Sequence, residues 1–111
     1  MPVDVKDKLR AVVRDLGSQT RVAELLGVSR SRVSRWLRTG EEPDQENRRK
    51  LQGVEFVLAR LFEEFPREVA LDWLLGLNAQ LGDRQPMYLL KRGRITEVLG
   101  ALDADAAGGY A

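Results

Sequence analysis

Apolar side chains recur along this chain at intervals of three and four, the spacing of one helix face, almost from end to end. Val5, Leu9, Val12, Val13 and Leu16 make such a stripe over residues 4–16. Gly17 ends it, and Ser18 is placed to cap the next element. Val22, Ala23 and Leu26 mark a second short helix over 19–26, and Val33, Trp36 and Leu37 a third over 30–38. Gly40 and Pro43 close this segment around the polar pair Glu41-Glu42. The pattern then predicts a long helix over 45–65, with Asp44 as its cap and Glu46 at the positive end of its dipole. Leu51, Val54, Leu58, Leu61 and Phe65 repeat along it at three and four, widened by Val57 and Phe62. Gly53 is the one poor helix former inside it. Pro66 suits the first position of a helix over 66–75 that carries Val69, Ala70, Trp73 and Leu74. Gly76 interrupts, Asn78 is a cap or turn residue, and Leu77 and Leu81 are expected to be buried. After a turn at Gly82-Asp83, Pro86 opens a short helix through Leu89-Leu90 that Gly93 ends. A last helix over 94–104 carries Ile95, Val98, Leu99 and Leu102. There is no internal repeat and no stretch with strand alternation, so the expected fold class is all-α.

Within this array the stretch from Gln19 to Arg38 carries the most specific pattern. Ala23 is small where two helices cross closely, and Gly27 can take the positive φ that a sharp turn between helices needs. Val22, Leu26, Val28, Val33 and Trp36 fall where the two helices must bury side chains against each other. Ser29 is a good N-cap for the second of them. Together these residues read as a helix-turn-helix, a device that sets its second helix in the DNA major groove. On a wheel of about 100° per residue, Val33, Trp36 and Leu37 share the buried face of residues 30–38. Ser31, Arg35 and Arg38 lie opposite, Arg32 and Ser34 flank them, and Arg30 sits in the first turn. Arg can contact guanine through two parallel hydrogen bonds, Ser can serve bases or phosphates, and any of the arginines can hold phosphate. The candidate DNA-binding residues are therefore Gln19, Ser29, Arg30, Ser31, Arg32, Ser34, Arg35 and Arg38. The competing reading is an ordinary amphipathic helix pair with a solvated, arginine-rich face.

Composition and charge narrow the function. The 111 residues, 43% of them apolar, suit one compact domain or two small helical subdomains. Cysteine and histidine are both absent, which removes disulfides, zinc–thiolate sites, the usual metal ligand and the usual general base. No apolar run is long enough to span a membrane and the N-terminus lacks a signal-peptide pattern, so a cytoplasmic protein is expected. The net charge is only +1, but its distribution is uneven. Residues 1–43 hold nine basic and six acidic groups, and residues 44–111 hold nine basic and eleven acidic. The positive field thus coincides with the helix-turn-helix, as an electrostatic footprint for nucleic acid should. Arg48-Arg49-Lys50 reads as a solvated face rather than a second DNA contact. The apolar seam of the long helix serves packing within the chain, a dimer contact, or both. Glu68 and Asp72 are one helical turn apart, a spacing that surface helices use for solvation and ion pairs. With no phosphate loop, activated nucleophile or metal cluster, no enzymatic activity, cofactor or metal is expected.

The second half has its own ordered signature. It runs from Trp73-Leu74 through Asn78, Leu81, Pro86, Leu89-Leu90 and Gly93 to Val98 and Leu102. Following a helix-turn-helix in so short a chain, it resembles the toxin-binding domain of Xre/MbcA/ParS-type antitoxins, and the resemblance spans about residues 5–105. The family pattern usually has a proline shortly before the asparagine, where this chain has Gly76-Leu77. Trp73, Leu81, Leu89 and Leu90 serve as core in either case. The resemblance implies three parts: an Xre-like DNA-binding unit over 1–43, a helical toxin-binding and dimerisation domain over 44–105, and a mobile tail over 106–111. It also implies a type II antitoxin that neutralises a RES-domain, NAD-consuming toxin by direct binding and represses its own operon. In related complexes the antitoxin C-terminus lies at or in the toxin's active site. Here that segment would be Gly109, Tyr110 and Ala111, a Gly-rich end whose tyrosine could stack in a nucleotide-sized pocket. The competing reading of that segment is an end of no consequence.

One short recognition helix reads only a few base pairs, so a homodimer on an inverted repeat in its operator DNA is expected. A different class of function stays open beside this one: a stand-alone dimeric repressor of phage or plasmid type, whose second half only dimerises.

Overall fold

The computed structural model describes residues 4–108, and among them it is built of helices and turns without a strand. The order is α1 (Val5–Leu16), α2 (Gln19–Leu26), α3 (Arg30–Arg38), α4 (Gln45–Glu64), α5 (Arg67–Leu75), a single 3-10 turn (Ala79–Leu81), α6 (Pro86–Lys91) and α7 (Ile95–Gly108). The all-α expectation holds, and the helix limits fall within a few residues of those the pattern predicts. The chain divides into two compact units, the first ending at Glu55 and the second beginning at Phe56, so that α4 contributes to both.

In the first unit the caps do what the sequence asks of them. Ser18 Oγ accepts from the backbone N–H of Arg21 and Ser29 Oγ from that of Arg32, both at 3.1 Å. Asp44 Oδ1 accepts from Asn47 N at 3.2 Å and opens α4. Gly27 has φ +71° and turns the chain between α2 and α3. A Cβ there would meet nothing closer than the end of Lys50 at 3.9 Å, so glycine is required by the backbone angle and not by crowding. The core of this unit is Leu9, Val12, Leu16, Val22, Ala23, Leu25, Leu26, Val33 and Trp36, joined by Leu51 and Val54 from α4. Val28, read as a core position, is only half-buried.

In the second unit Val57, Leu58 and Leu61 of α4 are buried, as are Ala70, Trp73 and Leu74 of α5. Leu81, Leu89, Leu90, Val98, Ala101 and Leu102 complete this core. Two local expectations change. Pro66 is the N-cap residue of α5 rather than its first helical residue, and it offers no side-chain cap. Leu77, expected inside, is 75% exposed. Gly76 and Asn78 both have extended backbones, where successive side chains alternate in direction. Asn78 turns inward and is buried, and Leu77 therefore turns out. The last helix runs past the predicted limit at 104 through Ala106 and Ala107 to Gly108, as the helix preference of alanine favours.

Candidate functional site

Helix α3 presents the face that the wheel predicts, except that Leu37, expected on its buried side, is only half-buried. Val33 and Trp36 are fully buried against the rest of the first unit. Arg30, Ser31, Arg35 and Arg38 are exposed, with Ser34 half-buried among them. These five residues line one shallow hollow. Arg38 Nε donates to Ser34 Oγ at 3.0 Å, one turn back, which sets the arginine along the helix surface. Ser29 spends its lone pair on the cap of α3, and its O–H proton remains able to donate to a phosphate. Gln19 is the first residue of α2 and is half-buried.

Arg32 stands apart from this group. Its guanidinium lies over the Trp36 ring, 5.2 Å from the centroid, and 3.9 Å from Asp44 Oδ2. The buried indole N–H of Trp36 meets no acceptor among the described residues. Arg21 also turns from the open face: its Nη1 donates to the carbonyl of Leu16 at 2.9 Å and ties α2 to the end of α1. The basic run on α4 is used in the same way. Lys50 Nζ donates to the carbonyl of Leu26 at 3.2 Å, closing the C-terminus of α2. Arg48 Nε donates to the carbonyl of Pro43 at 2.8 Å. Arg21, Lys50 and Arg48 thus hold backbone carbonyls, whereas Arg30, Arg35 and Arg38 stand exposed on α3.

The segment after α3 is more ordered than a polar connection need be. Thr39 Oγ1 donates to the carbonyl of Arg35 at 2.7 Å and accepts from Glu41 N at 3.1 Å. Lys6 Nζ of α1 donates to the Thr39 carbonyl. Three acidic side chains of this segment face three arginines: Glu41 and Arg35 at 3.4 Å, Glu42 and Arg48 at 3.4 Å, and Asp44 and Arg32. Hydrogen bonds from the backbone and side chain of Asn47 hold the Asp44 carboxyl below its ordinary value, with a smaller contribution from Arg32. The sequence reading missed the role of Glu41. Its only signal was an acid three residues beyond a basic helix, which any loop could supply.

In the second unit, Asn78 organises the segment between α5 and α6. Its Oδ1 accepts from Gln80 N at 2.8 Å, and its backbone N–H donates to Arg84 O at 3.1 Å. Its carbonyl accepts from Leu81 N and Asp83 N. Its Nδ2 donates to Asp105 Oδ2 at 2.9 Å, and the same oxygen accepts from Trp73 Nε1 at 2.8 Å. One carboxylate on α7 thus joins Trp73 and Asn78, two residues of the ordered signature. Two residues earlier on α7, Asp103 accepts from Arg60 at 2.6 Å, which raises the pKa of that guanidinium above its ordinary value. Neither aspartate was singled out from the sequence. Glu68 and Asp72 of α5 are both exposed. Gly109, Tyr110 and Ala111, the segment assigned to the toxin, lie outside the described residues. Among the described residues no helix is long and apolar enough to cross a membrane.

No family model matches the chain. Curated relatives do, among them the mycobacterial cidal antitoxin MbcA of Mycobacterium bovis and that of Mycobacterium tuberculosis. Each is 31% identical over 87 residues, which is 78% of this chain and 77% of theirs. Among solved structures, the crystal structure of the M. tuberculosis MbcT–MbcA toxin–antitoxin complex contains a chain of the same fold. It matches with a TM-score of 0.79 and 28% identity, over 98% of this chain and 100% of that one. With that identity and coverage, and with the same helical array, the chain belongs to the MbcA family of antitoxins, regulatory proteins rather than enzymes.

Proposed function

We propose that this protein is the antitoxin of a type II toxin–antitoxin pair. It binds and neutralises a RES-domain toxin that consumes NAD, and it represses its own operon as a homodimer on an inverted repeat. The observation that carries the first half is the likeness, across nearly the whole chain, to an antitoxin solved in complex with its toxin. Residues 44–105, which take in all of α4 and most of the second unit, are the part assigned to the toxin and to dimerisation, and Gly109-Tyr110-Ala111 is the segment that reaches the toxin's active site. The test is co-expression with the product of the adjacent gene. A toxin that depletes NAD alone, and is silenced and co-purified by this protein, is the expected result. An adjacent product that neither binds nor depletes NAD would leave only a stand-alone repressor. A chain truncated after Ala107 that silences the toxin as fully as the whole chain would remove the tail from the mechanism.

DNA binding rests on the open hollow of α3. Arg30, Ser31, Ser34, Arg35 and Arg38 offer hydrogen-bond donors on one face of a helix whose opposite side buries Val33 and Trp36, with Gln19, Ser29 and Arg32 at its margins. Arg35→Ala should weaken binding to the upstream DNA by about 1–3 kcal/mol if Arg35 reads a base. Loss of a phosphate contact would chiefly flatten the salt dependence. Gel-shift titrations at several salt concentrations distinguish the two. Unchanged binding by both Arg35→Ala and Ser31→Ala would remove α3 as the reader. Repression and neutralisation both act in the cytoplasm on this reading.

A further inference from the structure

We propose that Glu41 is a specificity-determining residue for DNA binding, positioning Arg35 for a base edge and turning it away from phosphates. This rests on the reading of α3 as the DNA-binding helix. The Glu41 carboxylate lies 3.4 Å from Nε of Arg35. A guanidinium has two hydrogen-bonding edges, one at Nε and one at the paired Nη groups. An acid on the Nε side leaves the Nη pair unoccupied by that acid, and the Nη pair matches the two acceptors of guanine.

Glu41 is held in place by more than the ion pair. Thr39 Oγ1 accepts from the Glu41 N–H and donates to the Arg35 carbonyl, and Lys6 of α1 donates to the Thr39 carbonyl. The turn that carries the acid is therefore fastened to the last turn of the helix that carries the arginine. Both side chains of the pair are about half exposed, at 54% and 46%, so the pair contributes little to stability. What it does instead is place a negative charge beside the Nε side of a cation. A phosphate approaching Arg35 meets that charge and is repelled, whereas the uncharged edge of a base is not.

The test uses the full-length protein, a duplex carrying an inverted repeat from the upstream DNA, and a scrambled duplex of equal length. Affinity for each is measured by fluorescence anisotropy over a range of salt. Glu41→Gln should bind the scrambled duplex several-fold more tightly and narrow the ratio of specific to scrambled affinity about tenfold. It should also steepen the salt slope by about one counterion. Glu42→Gln removes the same charge from the acid that faces Arg48. It should raise both affinities alike and leave the ratio unchanged. The melting temperature of Glu41→Gln should match that of the wild type. An unaltered ratio in Glu41→Gln, or the same change in Glu42→Gln, overturns the assignment of Glu41 while α3 keeps its role. A wild-type protein that binds neither duplex overturns the DNA reading itself, and this inference with it.

Discussion

Replacing Asp105 by alanine should be among the most damaging single changes in the second unit. The Asp105 side chain is only half-buried, but its two donors are not. Trp73 is 2% exposed and Asn78 is 7% exposed, and both give their N–H to the same oxygen, Oδ2. Hydrogen bonds to a charged acceptor contribute about 1.5–3 kcal/mol each, and a buried donor left without a partner costs about 1–3 kcal/mol. Water can recover part of this because the carboxylate reaches solvent, so the two terms do not add in full. About 2–4 kcal/mol is the expected loss for Asp105→Ala. For a chain of 111 residues that is a fall in melting temperature on the order of 10 °C. Circular dichroism at a helix band follows the transition, with near-ultraviolet signal from the tryptophans as a second probe. If the two units melt separately, the later-half transition is the one to read. Asp105→Asn keeps an acceptor oxygen without the charge and should lose about half as much. Asp103→Ala removes an exposed partner of Arg60 and should move the midpoint far less. A double-mutant cycle of Asp105→Ala with Trp73→Phe should show that the two losses overlap. If Asp105→Ala lies within about 0.5 kcal/mol of the wild type, the carboxylate is not what fastens α7 to Trp73 and Asn78, and the account of this unit fails.

Two further outcomes follow from the first unit. Trp36→Phe should cost clearly less than Trp73→Phe in chemical denaturation. The Trp36 N–H is buried without an acceptor among the described residues while that of Trp73 is bonded, so only the second substitution breaks a hydrogen bond; equal losses would refute this. The Asp44 carboxyl is held below its ordinary value of 3.8. Its contribution is therefore fully present above the unfolded value and is lost as pH falls through the lower folded one. Asp44→Asn, which keeps an N-cap acceptor, should show a shallower fall in stability over that acid range by thermal melts, and an unchanged slope would show that Asp44 is not a source of it.

The first unit was legible because its elements are specified locally. Ser18, Ser29 and Asp44 each cap a helix within three residues, and Gly27 turns the chain at a φ that few other residues adopt. The burial of Val33 and Trp36 follows from period alone. These features fix which side of α3 is open, and so the candidate DNA-binding residues could be named before any coordinates. What period cannot say is which cations stay on the open side. Arg32 leaves it for Trp36 and Asp44, and Lys50 of α4 goes to the end of α2 rather than to solvent, because those choices depend on groups contributed from elsewhere in the chain.

The second unit shows the opposite balance, and Asn78 explains why. Its capping role is local and was read correctly, yet the cap alone does not determine which way the neighbouring residues face. The inward turn of Asn78 depends on Asp105, 27 positions away, and a side-chain hydrogen bond of that range has no periodic signature. Asn78 points in and its neighbour Leu77 points out, as flanking extended residues favour, and the expectation of a buried leucine fails beside a contact to another helix. The ordered signature from Trp73 to Gly93 is therefore more than a series of core positions. Trp73 and Asn78 each carry an N–H that must find a partner when buried, and the partner they share is an acid on the last helix. A chain that kept the apolar pattern but lacked that acid would retain the helices and lose the fastening between them. The Asp105→Ala and Asp105→Asn pair is built to separate those two contributions.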